Sequence, residues 1–278
     1  MRKLPIWLTF TTILRVAFMH LGVAWRLIWP WLLVLVPFAV SVYWFGISQT
    51  HSERGQILDI LVSFGGAFVG LFLCGIGVSS VAVGWHRYAL LGEEPHGFGV
   101  LRIQSNVWSY LWNFIGISLL MVLVFVLPIS ILAYFLYLPL GLTGILASYS
   151  SQVMMALSAI PIACYLLCSP IITRFYLKLV GIALCDQTAS FDTVSSASTG
   201  NYVGLLGLAV LLWTMSYVPN AGMDYLSEII GQSGLVGFAF STLRTVFQSM
   251  VIYVDIVSLT ILYGFFVLGR EIDALGRH

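Results

Sequence analysis

Long apolar runs separated by short polar breaks set the plan of this chain. A helix needs about 20 mostly apolar residues to cross a bilayer, and in lipid only helices or closed barrels satisfy every backbone donor and acceptor. Runs over residues 27–48, 57–91, 108–138, 152–183, 202–218 and 246–268 are too long for barrel strands. The pattern therefore predicts an all-α polytopic transmembrane helical bundle of six spans, a single integral membrane domain over residues 1–278. The second run outlasts the bilayer and ends in Trp85-His86-Arg87-Tyr88, and the fourth is interrupted by Pro161 and Pro170.

Ahead of the first span, residues 5–25 are apolar but broken. On a helical wheel Thr9, Thr12, Arg15 and His20 share one sector, with Trp7, Leu14, Phe18, Leu21 and Trp25 largely outside it. That amphipathic division predicts a helix lying in the membrane interface. The alternative is that part of it spans and the following run continues it. Between the spans the longest polar connections are residues 92–107, 186–201 and 219–245, none large enough to fold alone. In the last of them Met223, Tyr225, Leu226, Ile229 and Ile230 are mixed with Asp224 and Glu228, the pattern of a short surface helix on the outer leaflet. Two spans end in similar basic turns, at Trp85-His86-Arg87 and at Arg174 to Lys178, a faint echo of the kind left by internal duplication.

Composition agrees with lipid as the main solvent: 60% of residues are hydrophobic and only 8% charged, with a mean hydropathy of +0.99. Soluble domains carry roughly a quarter charged residues. A net charge of +1 leaves no basic field for DNA or RNA. Lysines and arginines are unevenly placed, however. With the amino end inside, Arg2, Lys3, Arg15, Arg26, Arg87, Arg102, Arg174, Lys178, Arg270 and Arg277 are cytoplasmic, against Arg54 and Arg244 outside. Cytoplasmic loops carry such an excess, so the bias predicts both termini in the cytoplasm and an even number of spans. The basic start resembles a signal-peptide n-region, but Arg15, His20 and Arg26 interrupt the apolar stretch and no small-residue cleavage site follows, so it is expected to stay attached. Cys74, Cys164, Cys168 and Cys185 lie in or beside apolar runs without a CxxC or Cys/His cluster, as reduced packing residues do.

Few residues carry chemistry. An ionisable group at a helix centre costs about 2.5 to 3.5 kcal/mol on insertion scales, which makes intramembrane charges functional candidates. Asp255 stands near the middle of the last span, between Tyr253 and Ser258, and must be protonated, hydrogen-bonded or paired. One reading is a proton or cation relay. The reading preferred on sequence alone is a neutral acid that locks two helices together, because no second mid-membrane carboxylate or histidine accompanies it. Asp59 falls near the outer end of its span, where water solvates it. Arg174 and Lys178, four apart on one helical face, could join Arg87 and Arg102 in a cationic pocket for a lipid phosphate. Snorkelling to the headgroup level explains the same residues and is the preferred reading. His86, Arg87, Glu93, Glu94 and His96 match no metal-ligand spacing and read more simply as a helix C-terminus ending at Gly92. The serine-rich stretch 195–200 fits neither a nucleophile elbow nor a phosphate loop and reads as a loop capping the next helix. Gly65, Gly66, Gly70 and Gly75 offer close helix packing.

Several pieces carry a family resemblance. They are the amphipathic start, the span end Ile171-Ile172-Thr173-Arg174-Phe175-Tyr176-Leu177, and the loop from Ser190-Phe191-Asp192 to Thr199-Gly200-Asn201 leading into a new span. Their order resembles the membrane domain of glycerophosphodiester phosphodiesterases and its stand-alone six-helix relatives in bacterial inner membranes. The segment from Val83 to Glu93 also looks like one in membrane proteins of alphaproteobacteria. The resemblance transfers no active site, because in those enzymes hydrolysis belongs to a separate soluble barrel for which this chain has no room.

With no nucleophile–base pair, metal cluster or cofactor motif, the first functional expectation is a non-enzymatic membrane protein. It would interact with lipids, including anionic ones, or organise the envelope. A small-solute or ion transporter, with Asp255 and proline-broken helices around Pro128, Pro161 and Pro170 forming a midplane site, is the second. The third is an accessory or assembly subunit of a larger complex, with a membrane-protein partner or a second copy of itself. Two polar residues converging on Asp255 in three dimensions would favour the second.

Overall fold

Stretches this apolar leave the backbone no hydrogen-bonding partner but itself, and the computed structural model is helical along every one that it describes. It describes residues 3–49, 56–95, 101, 104–128, 131, 151–186, 188–230 and 234–275. The helices are α1 (Ile6–Met19), α2 (Leu21–Gln49), α3 (Gln56–Leu91) and α4 (Ser105–Met121), the last running into a π-helical turn, Val122–Val126. They continue with α5 (Ser151–Ala183), α6 (Phe191–Ser198), α7 (Tyr202–Ile230), α8 (Gly234–Phe266) and α9 (Ile272–Leu275). Among the described residues six helices, α2, α3, α4, α5, α7 and α8, are long and apolar enough to cross a membrane.

Around the centre, α3, α5 and α8 touch one another. Outside them, α4 packs on α3 and α5, α7 packs on α5 and α8, and α2 lies along α3. Burial follows this order: 61% of the apolar window of α8 is enclosed by protein, against 11% of that of α7. Where lipid is the solvent, packing rather than water exclusion must hold helices together, so small residues set the closest approaches. The tight contact of α2 and α3 is at Gly84, where a Cβ would sit 2.7 Å from Leu27 Cδ2. Gly70 and Gly75 also face neighbours, Phe38 and Leu111, while Gly65 faces open space.

At 14 residues, about 21 Å, α1 is too short to span. It lies against α7, α8 and α9. The wheel alone does not say which sector meets the bundle. Thr9 and Thr12 are buried against the bundle with Ile13, Val16 and Ala17, while Trp7, Phe18 and Met19 are exposed. The threonines tolerate burial because a helical hydroxyl can return its bond to the backbone, as Thr9 Oγ1 does to the Pro5 carbonyl at 2.8 Å. The backbone N–H of Leu4 donates to Asn201 Oδ1 at 2.8 Å and ties the start of α1 to the start of α7.

Prolines break less than expected. The α5 helix runs unbroken through Pro161 and Pro170, and α7 through Pro219. In α7 the Asn220 side chain donates to the Ser216 carbonyl at 2.8 Å, adding a bond in the turn that the proline weakens. Met223, Tyr225 and Leu226 are therefore the far end of α7 rather than a separate surface helix. Ahead of Pro128 the backbone widens into the π turn, which makes room for a ring that would otherwise meet the carbonyl of Val124.

Candidate functional site

The central helices do not close completely. Between α3, α4, α5, α7 and α8 lies a cavity of about 580 Å³, with apolar walls from residues such as Val78, Phe114, Leu208 and Leu259. Asp255 borders it. At residue 255, in a span window running from Thr242 to Phe266, the carboxylate stands close to the midpoint of α8. Its exposed surface belongs to this cavity margin, in the middle of the most enclosed helix. Among the described residues no side chain hydrogen-bonds or pairs with the carboxylate. The helix-locking bond expected from sequence is thus not among the contacts it makes.

Hydroxyls accompany it. Ser79, Tyr110, Tyr165, Ser169, Thr173, Tyr176, Ser216 and Ser258 all line the cavity, from five helices. Several are already committed. Ser258 Oγ donates to the Asp255 carbonyl at 2.7 Å, Thr173 Oγ1 to the Ser169 carbonyl at 2.8 Å, and Ser169 Oγ to the Leu166 carbonyl at 2.6 Å. Tyr176 and Ser118 share a hydrogen bond of 3.2 Å. Tyr165 is more than half exposed and lies within electrostatic reach of Asp255. The result is an apolar cavity bordered by one carboxylate and several hydroxyls, the usual character of a small-molecule site.

The four candidate headgroup cations are placed differently. Arg87 holds Glu93 in a two-pronged pair, Nε at 2.7 Å and Nη2 at 2.6 Å, and its Nη1 reaches the Ala183 carbonyl at 3.4 Å. Its fork is therefore occupied by protein. Arg174 is half-buried, with Nη2 3.4 Å from the Ser198 carbonyl and Nε without a partner. Lys178 is half-buried on the same helix. Arg102, His96 and the side chain of Asp59 lie outside the described residues.

His86 is not a helix cap. It is fully buried, and its Nδ1 is 2.8 Å from Thr260 Oγ1 on α8. The end of α3 is made instead by Gly92, in the left-handed region at φ 73°. Among the described residues no three His, Cys, Asp or Glu side chains gather as a metal site requires. The serine-rich stretch is itself helical: α6 is N-capped by Ser190, whose Oγ accepts from the Thr193 N–H at 3.2 Å.

No family model, curated protein or solved structure matches this chain. The site is therefore read from its own residues.

Sequence reasoning passed over two polar links. Asp186, just beyond α5, accepts from Thr188 N–H and Oγ1 at 2.9 and 2.7 Å and from Tyr263 Oη at 2.8 Å. The Thr188 hydroxyl, followed by Tyr263 and the Thr188 amide, holds its carboxyl below the usual carboxylate range. The spacing Asp186-x-Thr188 is a local turn signal that was available. The other link, Tyr88 Oη to His20 Nδ1 at 3.2 Å, joins positions with no periodic relation.

Proposed function

We propose that the protein is a multi-pass membrane protein that binds a small, mostly apolar molecule within its bundle, with Asp255 anchoring the molecule's one basic or hydrogen-bond-donating group. The observation that carries this is the unpartnered Asp255 carboxylate opening into a cavity of about 580 Å³. A carboxylate far from water is expensive unless something pairs with it. Among the described residues the protein offers it no partner. A bound cation or donor would supply one, and the apolar walls would take the rest of the molecule. Transport of such a molecule is the use we favour, since binding midway through the bundle suits access from either side. The molecule could itself be lipid-derived, which keeps the lipid-interacting expectation and moves it from the four cations to the cavity.

The ten-to-two distribution of Lys and Arg supports both termini in the cytoplasm, and the resemblance of the span ends and loops to six-helix bacterial proteins supports an inner membrane. This reading uses no catalytic residue and no cofactor.

A lipophilic cation tests the proposal directly. Equilibrium binding of radiolabelled tetraphenylphosphonium and of a long-chain tertiary amine is measured on protein in nanodiscs. Asp255→Asn is expected to weaken binding of one or both about 10- to 100-fold, as loss of a charge-assisted contact does. Asp255→Glu should retain most of it, and Val78→Trp should block the cavity. Failure of both probes to bind, or binding indifferent to all three substitutions, overturns the reading.

A further inference from the structure

A second cavity, of about 510 Å³, opens at the other site of polar convergence, where α1, the end of α3 and the α8–α9 turn meet. We propose that it binds a zwitterion bearing a phosphate and an ammonium group, as in the headgroup of phosphatidylethanolamine or in free phosphoethanolamine.

Three observations meet there. The first is the back wall. Trp85 lines the cleft, is only 1% exposed, and its Nε1 has no hydrogen-bond partner. An indole N–H can only donate, and this one lies sealed behind the cleft wall, so Trp85 gives the cleft an apolar back rather than a direct donor. The second is charge. Arg270 and Glu94 both line the cleft, and among the described residues neither has an ion-pair partner. Arg270 Nη2 rests on the Leu90 carbonyl at 3.2 Å, which orients the guanidinium while leaving its other N–H groups. One cation and one anion in a single cleft complement a ligand that carries one of each. The third is the Tyr88–His20 pair at 3.2 Å, whose hydroxyl and imidazole add further polar edges beside Trp85.

Depth fits a headgroup. The apolar window of α3 ends at Leu91 and that of α8 at Phe266. Glu94 and Arg270 lie three and four residues beyond these ends, while Trp85 lies within the window. The phosphate would sit on the Arg270 and Trp85 side, with the ammonium toward Glu94. This cleft shares no lining residue with the Asp255 cavity and does not depend on it.

The test is native mass spectrometry of the full chain released from nanodiscs made with equal parts of dioleoyl phosphatidylethanolamine, phosphatidylglycerol and phosphatidylcholine. Wild type is expected to retain phosphatidylethanolamine over both others. Arg270→Gln should reduce that retention about tenfold, the effect of one lost charge-assisted bond, and Trp85→Phe, which removes no group facing the ligand, should change it little. Glu94→Gln should shift the preference toward phosphatidylglycerol. Arg270 and Glu94 are exposed, so their variants test the site even if Trp85→Phe does not fold. Adding millimolar phosphoethanolamine distinguishes the source. Displacement of the lipid, with phosphoethanolamine bound in its place, assigns the site to the soluble zwitterion; persistence of the lipid assigns it to the headgroup. No headgroup preference in wild type, or a preference unchanged by both Arg270→Gln and Glu94→Gln, overturns the proposal.

Discussion

At the residue scale, the most informative side chain in the core is a histidine. Thr260 Oγ1 donates to the Ile256 carbonyl at 2.8 Å, so its oxygen accepts from His86, which must carry its proton on Nδ1. Thr260→Val then strands a buried N–H. A loss of about 1–3 kcal/mol is expected, read from unfolding in mixed micelles. The double variant His86→Phe with Thr260→Val should lose less than Thr260→Val alone, because both polar partners are gone. Asp186 supplies a pH test. Its folded pKa lies below the unfolded value, about 3.9, so its contribution is complete above that value. It fades as pH falls through the lower, folded pKa. Wild type and Asp186→Asn should differ in melting temperature at pH 6 and converge as the pH falls well below 4. Asp186 with Thr188 left a local turn signal in the sequence, and Asp255 drew attention as a carboxylate in an apolar run, where solvation is costly. His86 was misread: its position beside Arg87 near a helix end hid a partner 174 residues away. No local period encodes a contact of that separation.

Among the elements, the spans were legible and their punctuation was not. Apolar length predicts six spans, and among the described residues six helices are long and apolar enough. Pro161 and Pro170 were read as interruptions and Pro219 as the start of a polar connection, yet α5 and α7 continue through them. A proline removes one backbone bond and displaces one carbonyl, a local defect that neighbouring helices and polar side chains can absorb. The two sectors of α1 were legible but not which of them meets the bundle: Thr9 hides its hydroxyl in its own helix, so the sector that holds it can pack inward. Contacts between elements depend on glycine. Gly84→Val is expected to push Leu27 away and cost about 1–3 kcal/mol, the usual size of an overpacking defect. Leu27→Ala added to Gly84→Val should recover part of the loss, which the same micelle titration would show. At Gly181 an added Cβ would collide with the Ala189 Cβ and approach Tyr263 Oη, so Gly181→Ala should be less tolerated than Gly65→Ala, which meets open space.

For the whole molecule, the proposed orientation rests on the charge bias and is open to labelling. In a chain with its four cysteines replaced by serine, Gly222→Cys in α7 should react with an impermeant maleimide added outside intact cells. Asp192→Cys in α6 should react only after the membrane is opened. The reverse pattern would refute the assigned topology. The length of α3 reaches further. Its 36 residues extend roughly 54 Å, and its apolar window of 24 residues about 36 Å, against a hydrocarbon core of about 30 Å. Such an excess is relieved by tilting, by kinking or by thickening the surrounding lipid. Because α3 contributes Cys74, Val78, Ser79 and Ala82 to the central chamber, tilting it would change the chamber's cross-section. Bilayer thickness thereby becomes an input to the site, and acyl-chain length alone should tune how readily the chamber accepts its guest.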